Sequence, residues 1–191
     1  TKVSDLSYVK KAADSIAPHL ARGNLVILES TVPPGTSERV VIPRLEKKGI
    51  PIGDFLYAHC PERAIPGRTL QEMMENSRII GGYDRDSTDR ATSIYQIFVR
   101  GQIYQTDTRT AEFVKLMENT CRDVNIALAN TFAVYAESAG IDIGRVIDAC
   151  NSQPYSHIHR PGVAVGGHCI PVYPHLYLSN DPAAVLVRTA R

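Results

Sequence analysis

The hydrophobic pattern of this chain changes period several times. Val3, Leu6, Val9, Ala12, Ala13, Ile16 and Leu20 recur three or four apart, so residues 3–22 read as an amphipathic helix. Pro18 shortens its last turn and Gly23 stops it. Leu25-Val26-Ile27-Leu28 is a short apolar run, as expected of a strand buried on both faces. The turn from Glu29 to Gly35 follows, and Thr36 or Ser37 can cap a helix over 37–48, closed by Gly49. Residues 54–60, 77–81 and 102–106 read as further strands. A loop at 61–68 and a helix at 84–99, marked by Ala91, Ile94 and Ile97, lie between them. Strands alternating with helices predict an α/β fold with a doubly wound parallel sheet covered on both faces.

Beyond residue 106 the period becomes helical. Ala111, Val114, Met117, Cys121, Val124, Leu128, Thr131 and Tyr135 predict one long helix over 108–138, stopped by Gly140. A helix of about 30 residues spans about 45 Å, which suits a bridge between domains or a dimer interface. A second helix is expected at 142–151, then a Gly/Pro-rich loop at 152–171. The first and last residues both lie inside helical patterns and the chain opens on Thr1, so it reads as a piece of a longer protein.

Composition narrows the function classes. The 191 residues carry 21 basic and 20 acidic side chains, which leaves no electrostatic footprint for nucleic acid or an anionic membrane. No apolar run approaches the roughly 20 residues that cross a bilayer. The four cysteines, Cys60, Cys121, Cys150 and Cys169, form no Cys-x-x-Cys pair, so neither a zinc ribbon nor a thioredoxin-type motif is present. Four thiols without a secretion signal fit a reducing, cytoplasmic setting. His59, His157, His159 and His175 show no ligand spacing, and no metal is expected.

Each thiol is then core filler or chemistry, and Cys169 is the candidate for chemistry. Gly166 and Gly167 let a substrate approach closely, His168 adjoins the thiol, and Pro171 ends regular structure. Lys115, Asn119 and Arg122 share one helix face at i, i+4 and i+7, flanked by Asp123 and Asn125. They are either a solvated face or a site where a Lys charge and an Asn amide hold an alkoxide or a sugar hydroxyl. Ser30 and Thr31 end a buried strand, where ligands of such sheets collect, and Glu62 follows the next strand in similar geometry. A tight turn and a solvated loop carboxylate are the plainer readings. No G-x-G-x-x-G occurs, and the glycines from 162 to 167 follow a loop, the wrong context. Either the chain binds no dinucleotide or the fingerprint lies upstream of Thr1.

Five stretches carry a resemblance: ESTVPPGTSE, CPERAIPGR, NSRIIGG, TAEFVKLMENTCRDVNIALAN and VGGHCIPVYP, in that order from Glu29 to Pro174. Together they resemble the UDP-glucose/GDP-mannose dehydrogenase family. GGHCIP and the PERxxPGR loop point to its branch acting on UDP-N-acetylmannosamine or related N-acetylhexosamines. The resemblance implies that residues 1–106 are the second part of a Rossmann-type NAD-binding domain. Residues 107–191 would be a mainly helical central domain, dimerising through 108–138, with a nucleotide-sugar domain outside the chain. It implies NAD as cofactor, a UDP-sugar as substrate, a homodimer, and four-electron oxidation of the sugar C6 alcohol to the acid. Cys169 matches the nucleophile, and Lys115 and Asn119 the pair that stabilises the oxyanion. Thr31 and Glu62, with Ser30, match polar residues near the nicotinamide and the catalytic water. Arg160, Gly166, Gly167 and Arg122 fall to the substrate. A chain lacking the glycine fingerprint is expected to bind NAD weakly or not at all and to be inactive alone.

Three positions depart from the family pattern. Tyr173 stands where many relatives carry Asp four residues after the Cys, Pro66 where the glucose-oxidising branch has a second Glu, and Val163-Ala164-Val165 replaces a glycine-richer stretch. UDP-glucose 6-dehydrogenase, a β-hydroxyacid or 6-phosphogluconate-type dehydrogenase, an NAD-independent cysteine hydrolase and a non-catalytic dimerisation core are the competing readings.

Overall fold

A computed structural model of the chain describes residues 4–163, 165–167 and 169–191. Val3, Ala164 and His168, named above, lie outside the described residues. The first helix is shorter than the apolar period predicts: α1 spans Ser7–Ile16 and breaks into a 3-10 turn at Ala17–His19. Pro18 at the start of that turn supplies no N–H to continue the α ladder. Strand β1 (Leu25–Leu28) has the expected bounds, but all four of its residues are half-buried, which corrects the expectation of a strand buried on both faces: among the described residues β1 is an edge strand, paired on one side only. The helix expected over 37–48 is a composite: a π turn at Ser37–Val41, α2 at Ile42–Leu45 and a 3-10 turn at Glu46–Lys48. Pro43 begins the α portion, so the chain widens before it instead of clashing with the preceding turn. Gly49 closes it at φ 86°.

Strand β2 (Leu56–His59) is followed by α3 (Thr69–Glu75), a helix absent from the sequence reading because its two turns are too short for the spacing of Leu70, Met73 and Met74 to establish a period, and none of its residues is fully buried. Then come β3 (Arg78–Gly82), α4 (Arg85–Tyr95) and β4 (Ile103–Asp107). The sheet order is β1-β2-β3-β4. β1 pairs parallel with β2, and β3 parallel with β4, each across a helical connection. β2 and β3 pair antiparallel, Ala58 with Gly82 and His59 with Gly81, which corrects the all-parallel expectation at one pairing. The physical reason is the connection at 60–77: it carries only the short α3, so the chain re-enters from the edge it has just left. Continuing that register outward sets Glu62 level with Arg78.

Both faces of the sheet are covered. Tyr57 joins a cluster with Ala13, Leu20, Val41, Ile42, Leu45 and Phe55, on the side of α1 and α2. Its neighbour Ala58, facing the other way, joins Cys60, Ile80, Ala91 and Tyr95 beside α4. Helix α5 (Thr108–Ser138) follows β4 directly, with the bounds its apolar period predicts. Gly81 makes that junction possible, because a Cβ there would overlap the Asp107 carbonyl and the Ala111 side chain.

The chain divides into two compact units, Ser4–Leu116 and Met117–Arg191, and each is described by itself. The second holds most of α5 with α6 (Ile143–Cys150), α7 (Tyr173–Asn180) and α8 (Val185–Thr189). The last two helices lie past the loop predicted at 152–171. Asp142 caps α6, its carboxylate accepting from the Gly144 and Arg145 N–H groups. No helix among the described residues is long and apolar enough to cross a membrane.

Candidate active site

In the first unit the candidate residues gather where β1 and β2 end. The Cys60 N–H donates to the Leu28 carbonyl at 3.0 Å and the Glu62 N–H to the Glu29 carbonyl at 3.2 Å, so the two strand exits stay paired beyond the sheet. Glu62 thereby adjoins the turn of Ser30 and Thr31, of which Ser30 is exposed and Thr31 half-buried. The Glu62 carboxylate is heavily committed. Oε1 accepts from the Arg63 and Ala64 N–H groups, both at 2.6 Å, and Oε2 from Arg78 Nη2 at 2.8 Å. Burial pushes this carboxyl up, but the Ala64 N–H, Arg78 and the Arg63 N–H outweigh it and leave it below the ordinary value. These donors favour the anionic form of Glu62 and oppose its protonation.

Arg78 enters from the start of β3, is 2% exposed, and lies over the Tyr95 ring at 5.1 Å. Tyr95 donates its hydroxyl to Glu29 at 2.5 Å. Glu29, Tyr95, Arg78 and Glu62 thus form one chain of contacts around the two strand exits. Cys60 is packed among them, and burial raises its thiol to about 12, which makes it inert.

Lys115 belongs to this unit and is half-buried on α5. One turn before it, Glu112 is fully buried and accepts from the Gly35 and Ser37 N–H groups, the latter at 2.7 Å. Burial raises its carboxyl and the Ser37 and Gly35 donors pull it back, with the net shift upward.

In the second unit α5 carries Asn119, half-buried, and Arg122, exposed. Its later turns hold the Gly/Pro-rich loop. Asn125 donates through Nδ2 to the His157 carbonyl at 3.0 Å and accepts through Oδ1 from the His159 N–H at 3.3 Å. Asn130 accepts from the Gly162 N–H at 2.9 Å, and Asn151 of the α6 end brackets Ile158 at both N–H and carbonyl. Arg160 turns its guanidinium onto α6, donating to the Gly144 carbonyl at 3.1 Å and pairing with Asp148.

Cys169 is exposed, and its carbonyl accepts from the Val172 and Tyr173 N–H groups, which places it at the head of α7. Gly166 and Gly167 are exposed, and Gly167 takes φ +93° with nothing near a Cβ. At that position glycine answers a backbone requirement as well as leaving room. Asp123, fully buried on α5, faces Arg191 at 3.3 Å; burial raises its carboxyl, and Arg191 and His175 lower it in part.

Glu112, Arg78 and Asn130 were not singled out from the sequence. Glu112 left a trace, a carboxylate between Ala111 and Lys115 in an otherwise apolar helix turn. Arg78 and Asn130 left none, since only pairing register and loop path reveal their partners. A dinucleotide fits these residues in part. Ser30 and Thr31 offer hydroxyls beyond a strand carboxyl end, on a braced turn. A glycine-rich phosphate cradle is not among the described residues, whose positive-φ glycines all lie in other turns.

Residues 1–99 match the NAD-binding domain of the UDP-glucose/GDP-mannose dehydrogenase family, and residues 109–186 match its central domain. The chain is 50% identical over 190 residues to the UDP-N-acetyl-D-mannosamine dehydrogenase of Methanocaldococcus jannaschii, covering 100% of this chain and 43% of that protein. It is 44% identical to the NDP-N-acetyl-D-galactosaminuronic acid dehydrogenase of Ralstonia nicotianae, covering 100% and 47%. Its structure superposes on the UDP-D-ManNAc dehydrogenase of Pyrococcus horikoshii with a TM-score of 0.94 at 49% identity, over 97% of this chain and 45% of that one. The chain thus spans less than half the length of each of these three relatives.

Proposed function

The chain belongs to the UDP-glucose/GDP-mannose dehydrogenase family, and from that premise we propose that the protein containing it oxidises the C6 alcohol of a UDP-sugar to the acid through Cys169. UDP-N-acetylmannosamine is the preferred substrate in this reading, supported by likeness along the whole chain to proteins named for that activity. Residues 1–106 complete an NAD-binding domain and 107–191 form the central domain. NAD, when bound, removes two electrons from the sugar carbon in each of two rounds. The chain supplies the rest. Lys115 and Asn119 hold the oxygen as its charge develops. The Cys169 sulfur adds to the C6 aldehyde, forming a C–S bond while the carbonyl oxygen takes up a proton. After the second oxidation the adduct is a thioester; water attacks its carbonyl, the C–S bond breaks, and the thiolate leaves with the acid released. Ser30, Thr31 and Glu62 orient cofactor and water, while Arg122, Arg160, Gly166 and Gly167 border the sugar.

The observation carrying this reading is an exposed Cys169 at the head of α7, reached by a loop that α5 grips through Asn125 and Asn130. A cytoplasmic homodimer is part of the proposal. Leu128, Phe132 and Tyr135, at i, i+4 and i+7 on α5, are all exposed and offer an apolar stripe for a second copy. The 191-residue chain alone is proposed to be inactive. The test is the full-length protein with a panel of UDP-sugars: two NADH per sugar and an acid product are expected, and Cys169→Ser should stop acid formation. One NADH per sugar, or acid from the serine variant, overturns the thioester route.

A further inference from the structure

We propose that Glu112 is a positioning residue, a buried carboxylate that locks the turn carrying Thr31 onto the turn of α5 carrying Lys115. The proposal rests on the dehydrogenase reading above. Its geometry lies within the first unit. The carboxylate reaches 77 and 75 residues back along the chain to accept from the Gly35 and Ser37 N–H groups. The Ser37 amide opens the helical run, where a helix leaves its N–H groups without partners of its own, and the Gly35 amide lies in the turn just ahead of it. A buried anion there is matched in charge as well as in hydrogen bonds.

The turn is braced from its other sides too. Arg39 donates to the Pro34 carbonyl at 2.6 Å, Thr36 Oγ1 to the Pro33 carbonyl at 2.6 Å, and the Tyr57 hydroxyl to Ser37 Oγ at 3.0 Å. Outside, Arg109 Nε donates to Glu38 at 2.8 Å, an exposed pair. Glu112 joins turn and helix from within. A core needing only volume would place Leu or Met here, because burying a carboxylate is costly. Gln cannot replace it: its amide has one oxygen, and its NH₂ would meet the second backbone donor. Glu112 and Lys115 are neighbours at i, i+3, so a shift of this turn moves the amine and the Thr31 hydroxyl relative to each other.

The experiment uses full-length protein and three variants: Glu112→Gln, Arg109→Ala at the exposed side of the same junction, and Ile80→Val as a remote core trim. Glu112→Gln is expected to lower kcat for NADH formation about tenfold or more, with KM for UDP-sugar within about threefold, since small misplacement of reacting groups is expensive. The two controls should lose some stability and keep kcat within about twofold. Hydrogen exchange read by mass spectrometry should show lost protection confined to residues 34–38 in Glu112→Gln. If that variant does not fold, Glu112→Asp, which keeps the charge with a shorter reach, carries the same comparison. Unchanged exchange at 34–38, an unchanged kcat beside an active wild type, or equal kcat losses in the controls overturns the clamp alone. A wild type that reduces no NAD with any UDP-sugar overturns the dehydrogenase reading and the clamp's catalytic role with it, whatever the exchange shows.

Discussion

His59 offers the sharpest test of the interior. It sits in β2 between two other strands, is fully buried, and neither ring nitrogen finds a hydrogen-bond partner. Burial pushes its imidazole down to about 4, against a small opposing effect of the Leu28 carbonyl. The sign follows directly. Above the ordinary value of about 6.5 both folded and unfolded chains are neutral at this position. As pH falls the unfolded chain takes the proton first, so stability drops until the folded value is reached. At about 1.4 kcal/mol per unit the full effect is about 3 kcal/mol, of which about 2 kcal/mol falls between about pH 7 and about pH 5. Glu112, whose carboxyl is raised, acts in the opposite direction, so the effect of His59 is read as a difference between wild type and a variant. His59→Leu removes the titrating ring and keeps an apolar side chain of similar size. Urea unfolding followed by circular dichroism, near pH 7 and near pH 5, should show a loss smaller by about 2 kcal/mol in the variant. If wild type and variant lose the same stability, the buried neutral imidazole is the wrong description of this strand.

Gly81→Ala should destabilise the first unit by about 2 kcal/mol or more, because the new Cβ meets the Asp107 backbone and the Ala111 side chain where β3 carries α5; a melting temperature within a degree or so of wild type would count against that packing. Among the thiols, iodoacetamide should label Cys169 and Cys121, both exposed, and leave Cys60 unmodified until unfolding, since burial holds its thiol at about 12; peptide mapping that finds Cys60 labelled in native protein would refute its placement. Asn125→Asp keeps the acceptor for the His159 N–H but turns an anion toward the His157 carbonyl. It should loosen the loop leading to Cys169 and raise exchange at 156–162, with a cost of about 1–3 kcal/mol, and unchanged exchange there would remove the clamp.

Helix α5 was legible from end to end because a long, uninterrupted apolar period is the most robust signal a sequence carries, and the four strands were legible as short apolar runs between turn residues. Helix α3 was not, since at two turns its Leu70, Met73 and Met74 give too short a period to read and none is fully buried. Thr31, Glu62, Lys115, Asn119 and Cys169 could be proposed as site residues from motifs in their order along the chain. That Glu62 is held as an oriented anion could not, because its restraint comes from Arg78, sixteen residues away and brought alongside by an antiparallel pairing.

Local composition and period determined which segments are helix or strand and which residues are chemically capable, since those properties depend on near neighbours alone. Tertiary structure decided the direction of β3, the burial of His59 and the grip of Glu112 on a turn more than seventy residues away. Those depend on desolvation and on hydrogen-bond partners that only the folded chain brings within reach.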